Sequence, residues 1–237
     1  MIEVELKFEL APGFYDQLQA RFAAMFSVQC VGQVDSTDIY YDTVHYDCLQ
    51  KAIFIRIRNH KRLEIKFHEE ADPNHTHSTE RVFPLRTTPE QMQEFNMLCA
   101  HLLPLWNAAG TIEAALQVNG LGVFVPIKKQ RVLYTSQDMT LCLDHVEGLG
   151  DFLEIEVLCE EHKKGEEHMA TDEAEKAMLR LHQFVRQLIA ELRLPELEQV
   201  RVGYVELWLR LHRPEVYRLG KYQVETKPEV GSKAGKH

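Results

Sequence analysis

No stretch of the 237 residues approaches the ~20 consecutive apolar residues of a membrane-spanning helix, so no membrane is expected as a partner. The opening residues show no basic-then-apolar leader. They run straight into a charged, alternating segment, and a cytoplasmic location is the expectation. CxxC is absent. The five cysteines, at 30, 48, 99, 142 and 159, are scattered and odd in number, and read as reduced thiols serving as small apolar fillers. There is no fixed-period repeat and no low-complexity tract, which sets solenoids aside. Positive charge is scarce: 27 Lys and Arg stand against 36 Asp and Glu, for a net charge of −9. Such a chain repels nucleic acid as a whole, so an anionic ligand needs a local basic cluster, helped by a metal. The expected partner is therefore a small molecule, and the chain is expected to act as a monomer.

What is present is alternation. Ile2, Val4, Leu6 and Phe8 interleave with Glu3, Glu5 and Lys7. A period of two marks a β-strand with one apolar and one charged face. Later segments repeat the pattern: Arg56 and Arg58 among Ile55 and Ile57, Glu64 and Lys66 among Leu63, Ile65 and Phe67. Lys129 and Arg131 flank Gln130, and Glu154 and Glu156 alternate with Leu153, Ile155 and Val157. One such pair alone is best explained as an exposed strand face carrying ion pairs. Same-sign neighbours repeated over several strands call for an outside partner instead.

Other elements follow from punctuation. Residues 12–26, 168–193 and 88–100 carry helical spacing, the last opened by Thr88 and Pro89 at the cap and first positions. A short helix is expected over 111–116, and 200–211 leans to helix. Strands are expected at 28–34, 38–42, 53–59, 62–68, 79–85, 122–135, 139–147 and 152–159. The histidine-containing segment 68–77 reads as a solvated loop, since it lacks the Cys/His spacing of a zinc site. Residues 219–237 read as a polar, disordered tail, leaving 1–218 as one domain. Short links between successive strands, about eight or nine in number, favour an antiparallel α+β protein. An eight-stranded sheet that closes on itself is wide enough to hold one small ligand.

If the charged parity faces the lumen, Lys7, Arg56, Arg58, Lys66, Lys129 and Arg131 share it with Glu3, Glu5, Glu64, Glu80, Asp144, Glu154 and Glu156. Carboxylates at i and i+2 point the same way about 7 Å apart. Paired glutamates suit hard cations such as Mg²⁺ or Mn²⁺, and arginines suit phosphate oxygens. Together they can neutralise a triphosphate.

The series Glu3-x-Glu5-x-Lys7, Tyr40-Tyr41-Asp42-Thr43, Arg56-x-Arg58, Glu64-x-Lys66, Glu80, Lys129-x-Arg131, Asp144 and Glu154-x-Glu156 resembles the CYTH superfamily of triphosphate tunnel metalloenzymes. Within it, the chain is most similar to the thiamine triphosphatases, through Asp38–Thr43 and the run ending Arg213-Pro214-Glu215-Val216-Tyr217. It departs from their animal members at Tyr204, where they carry a lysine, and at Phe54, where they carry a tryptophan. The resemblance implies a closed antiparallel eight-stranded β-barrel, a tunnel with helices packed outside, and a divalent-metal-dependent hydrolase removing the terminal phosphate of thiamine triphosphate. Inorganic tripolyphosphatase, adenylyl cyclase and a non-catalytic polyphosphate- or nucleotide-binding module are the alternatives. It further implies Lys7 and Tyr40 as the dyad activating water, which requires a depressed Lys7 pKa. Glu3, Glu5, Asp144, Glu154 and Glu156 become the metal side. Arg56, Arg58, Lys66 and Arg131 hold phosphates, supported by Lys129 and Glu80, and Phe54 meets the organic group.

Overall fold

The computed structural model describes residues 2–67, 77–159, 167–192 and 197–221. Nine strands form one antiparallel sheet: β1 (Ile2–Leu10), β2 (Gln29–Asp42), β3 (Phe54–Arg58), β4 (Arg62–Phe67), β5 (His77–Pro84), β6 (Gly122–Ser136), β7 (Met139–Val146), β8 (Gly150–Cys159) and β9 (Glu198–Val200). Their order is β5-β4-β3-β2-β6-β7-β8-β1-β9. The first strand closes the barrel. One edge of β1 pairs with β8 along its whole length, and its other edge is divided. Ile2–Val4 pair with β5, which closes the eight-stranded tunnel, and Lys7–Glu9 pair with the short β9.

The apolar parity faces outward, and helices cover it. Helices α1 (Phe14–Ala24) and α4 (Glu167–Leu192) pack on one side, where Val4, Leu6 and Phe8 meet Leu18, Phe22, Leu181 and Leu188. Helices α2 (Pro89–Leu102) and α3 (Ile112–Val118) cover the other side, where Ile55, Ile57, Leu63 and Ile65 meet Phe95 and Ile112. The third core forms around α5 (Tyr204–His212) and the single-turn α6 (Pro214–Tyr217), with Val125, Ile127 and Phe152 beneath. Burying a large aliphatic or aromatic side chain stabilises by about 1.5–3 kcal/mol. That term lies outside the tunnel, so the interior is left to charge.

Local signals explain the boundaries. Thr88 and Gln91 form a reciprocal capping box that starts α2, with Pro89 in its first turn. Thr111 caps α3 through the Ala114 N–H at 3.2 Å. Asn59 and His60 adopt positive φ, the conformation that lets β3 fold back onto β4.

Two expectations are corrected. Segments 28–34 and 38–42 are one strand, because β2 pairs with β6 from Gln29 to Asp42 through irregularities at Cys30/Gly32 and Tyr40/Tyr41. The exposed first half of β2 loses the alternation that marks its second half, so the sequence suggested a gap. The 200–211 segment is helical only from Tyr204, since Glu198–Val200 add a strand to the free edge of β1. All five cysteines are free, and only Cys30 is exposed. Among the described residues no helix is long and apolar enough to cross a membrane. Residues 68–76 of the histidine segment and 222–237 of the tail lie outside the described residues.

Candidate active site

The tunnel encloses a cavity of about 330 Å³. Glu3, Glu5, Lys7, Tyr40, Phe54, Arg56, Arg58, Lys66, Glu80, Lys129, Arg131, Glu154 and Glu156 all line it. Eight bases and seven acids line the cavity in total, so the walls nearly cancel and the field inside is divided rather than of one sign.

Strand register decides which charges meet. Glu64 stands opposite Arg56, and Asp38 opposite Arg58. Arg58 forks onto Asp38, with Nε–Oδ1 2.7 Å and Nη2–Oδ2 2.8 Å. Arg56 reaches Glu64 at 2.7 Å, the Tyr40 hydroxyl at 3.1 Å and Glu80 at 3.5 Å. Burial pushes the Asp38 and Glu64 carboxyls up, but the adjoining arginines outweigh it and hold each at about 2.

A second group lies at the floor. Asp144 is 0% exposed and does not face the cavity. It accepts from Lys129 at 3.0 Å, from Arg131 twice at 2.6 Å, and from the Tyr204 hydroxyl at 2.8 Å. Arg131 also bonds Glu154. Glu154 takes Lys7 as well, at 3.1 Å. Asp144 and Glu154 are thus engaged by bases. Tyr204 comes from α5 and slides its ring beneath two ammonium groups, Lys7 Nζ at 4.6 Å and Lys129 Nζ at 4.9 Å from the centroid.

The third group differs in kind. Register places Glu5 directly opposite Glu156, a like-charge pair, with Glu3 two residues away on the same face. One carboxylate oxygen from each of Glu3, Glu5 and Glu156 lies within 4.8 Å of the others. Lys66 reaches Glu3 at 3.2 Å and Glu5 at 3.4 Å. Burial raises Glu3 to about 8 in spite of Lys66, and burial also raises Glu156. For Glu5, burial is outweighed by Lys66 and Lys7, leaving it at about 2. Three hard oxygen donors that repel one another in a buried site fit a divalent cation of the Mg²⁺ or Mn²⁺ type. Of the five carboxylates expected on the metal side, the structure brings these three together and gives Asp144 and Glu154 to the bases.

The depressed Lys7 pKa expected from sequence is not found. Burial does favour the neutral amine, but Glu5 at 3.5 Å and Glu154 at 3.1 Å overcome it and raise the pKa. Sequence reasoning counted the cations around Lys7 and missed Glu154, placed opposite it by register, beside Glu5 on its own strand. It also left out Asp38, Arg62 and Glu206. The parity of Asp38 with Tyr40 is the signal that would have found the first. The third residue of that parity, Asp42, serves the loop instead, accepting the backbone N–H groups of Thr43, Cys48 and Leu49 at 2.7–3.0 Å.

The CYTH domain model matches residues 1–202. No curated protein matches the chain. Among solved structures, the PH1819 protein of Pyrococcus horikoshii OT3 is 22% identical, with a TM-score of 0.56 over 89% of this chain and 99% of that one. The PH1012 protein of the same organism is 20% identical, with a TM-score of 0.55 over 86% and 98%. A Hippeastrum protein, HpAC1, is described in terms of both adenylyl cyclase and a dominant triphosphatase activity. It is 18% identical, with a TM-score of 0.50 over 94% and 97%. These likenesses concern the fold; the domain match over residues 1–202 shows that the chain belongs to the CYTH family.

Proposed function

We propose that the tunnel hydrolyses a triphosphate in the presence of a divalent cation, with inorganic tripolyphosphate as the simplest substrate. The observation that carries this reading is the like-charge register. Glu5 faces Glu156 on one wall, and Arg58 faces Arg62 on the other. The first pair calls for a cation, the second for an anion, and both line one cavity. Glu3, Glu5 and Glu156 would hold the metal, which when bound neutralises phosphate oxygens and lowers the cost of charge at the transferring group.

The chain's own groups do the rest. Arg56, Arg58 and Arg62 exchange part of their bonding to Glu64 for phosphate oxygens. Lys66 turns from Glu3 and Glu5 toward the same anion, leaving those carboxylates to the cation. Arg131 and Lys129 are held in place by Asp144, so they meet the substrate preorganised. Lys7, kept charged between Glu5 and Glu154, acts as a phosphate ligand in this reading, and Tyr40 orients Arg56.

Thiamine triphosphate is the narrower reading. Its support is Phe54, whose ring lines the cavity beside Arg56 and offers an apolar face to an organic group. A panel of tripolyphosphate, thiamine triphosphate and ATP, each with Mg²⁺ and Mn²⁺, tests the proposal. Phosphate release from tripolyphosphate that requires the metal is expected. Tight binding with no turnover on any of the three would replace hydrolysis with a binding role, and cyclic AMP from ATP would replace it with cyclisation.

A further inference from the structure

One carboxylate in the cavity belongs to neither the cation site nor the arginine wall. Glu206 stands in the first turn of α5 and is 7% exposed, yet it lines the tunnel. Its Oε2 accepts the backbone N–H of the N-cap residue Gly203 at 2.9 Å. That bond fixes the side chain's direction and leaves Oε1 free of a protein donor among the described residues. The other lining acids apart from Glu156 each have a Lys or Arg within 4.0 Å; Glu206 has none among the described residues. The charges that act on it come from across the tunnel, from Lys7 on β1 and Lys66 on β4. Tyr204, on its own helix, is turned to Asp144.

A buried carboxylate without an ion-pair partner is costly to keep charged. Burial accordingly raises Glu206 to about 7, against the lowering pull of the Gly203 N–H, Lys7 and Lys66. A group that holds and releases a proton near neutrality suits proton transfer. We infer that Glu206 is the proton acceptor for the attacking water. This rests on the hydrolase reading above. As the water oxygen bonds to the terminal phosphorus, one water proton passes to the free oxygen of Glu206. The bond from that phosphorus to the bridging oxygen breaks, and the leaving diphosphate keeps the electron pair. The products are orthophosphate and diphosphate, and Glu206 returns its proton to solvent.

The experiment compares the wild type with Glu206→Gln and Glu206→Asp on tripolyphosphate and Mg²⁺ across pH 5.5 to 9, an interval set about the ordinary range of a proton-transfer group. Glutamine keeps the cap acceptor and the shape but cannot take the proton. Its kcat should fall about 100-fold or more with KM unchanged. The wild-type rise in kcat through neutrality should disappear. Glu206→Asp keeps a carboxylate on a shorter stem, and should retain that rise at a reduced kcat. If Glu206→Gln keeps both its rate and the rise, or loses rate while keeping the rise, Glu206 is not the acceptor. A wild-type protein that releases no phosphate overturns the hydrolase reading and this inference with it. A wild type that turns over beside an unchanged Glu206→Gln overturns this inference alone.

Discussion

The two walls of the tunnel are built from the same residue types and behave in opposite ways. On the β2–β3–β4 wall each acid has an arginine facing it: Asp38 has Arg58, and Glu64 has Arg56. On the β1–β8 wall Glu5 faces Glu156, and Lys66 alone bridges Glu3 and Glu5. On the first wall every acid is matched within the protein, and only the Arg58–Arg62 pair is left for an anion. The second is short of a cation: burial drives Glu3 and Glu156 toward the protonated form, while Lys66 and Lys7 keep Glu5 charged. Buried charge is tolerable when paired and costly when not, so the difference teaches where the protein needs a guest.

Asp144 offers the largest test of the comparison. It belongs with the completed pairs, through Lys129, Arg131 and Tyr204. Asp144→Ala leaves buried cations unmatched and should cost about 3–5 kcal/mol in denaturant unfolding, with or without metal. A variant of normal stability that has lost its metal requirement would move Asp144 to the other wall. Next, Glu156→Gln should leave the fold intact and lower Mg²⁺-dependent phosphate release about 100-fold, by analogy with loss of one preorganised charge-stabilising group. Unchanged release would detach the trio from catalysis.

The walls should also answer pH in opposite directions. Glu3 titrates at about 8 in the folded chain against an ordinary 4.5, so its contribution is fully present below 4.5 and lost as pH rises to 8. Asp38 and Glu64, at about 2 against 3.8 and 4.5, contribute above 4.5 and lose it as pH falls to about 2. Without metal, thermal stability should therefore decline from pH 5 to pH 8, and Mg²⁺ should raise the midpoint more at pH 8. Glu3→Gln should lessen that decline and leave the share that Glu206 and Glu156 contribute; an unchanged slope would show that Glu3 is not among its sources. The smallest effect is expected outside the tunnel. The half-exposed Arg180–Asp138 pair is screened by solvent, and Arg180→Ala should change stability by about 0–1 kcal/mol. A larger loss would mean that surface pairs, not the interior, set the electrostatics of this chain.

Much of the tunnel was legible because strand parity is a local property. Glu3, Glu5 and Lys7 must share a face whatever the rest of the chain does, as must Arg56 and Arg58. Counting such segments gave eight or nine strands, and the closure of eight into a tunnel came from the family resemblance. What parity cannot give is the partner across the strand. Asp144 and Glu154 looked like ligands beside Glu156, yet register sets Asp144 against Arg131 and Glu154 against Lys7. Lys7 was misjudged for the same reason. The plug made by α5 was illegible too. Its sequence carries both strand-like and helical spacing, and only the fold brings Tyr204 and Glu206 into a cavity built by residues some 200 positions earlier.

A crystal grown with Mn²⁺ and tripolyphosphate would test the central claim most directly, through the anomalous signal of the metal. The account predicts a peak about 2.0–2.2 Å from carboxylate oxygens of Glu3, Glu5 and Glu156, with Lys66 turned to the phosphates. A peak elsewhere, with Lys66 still bridging Glu3 and Glu5, would contradict it.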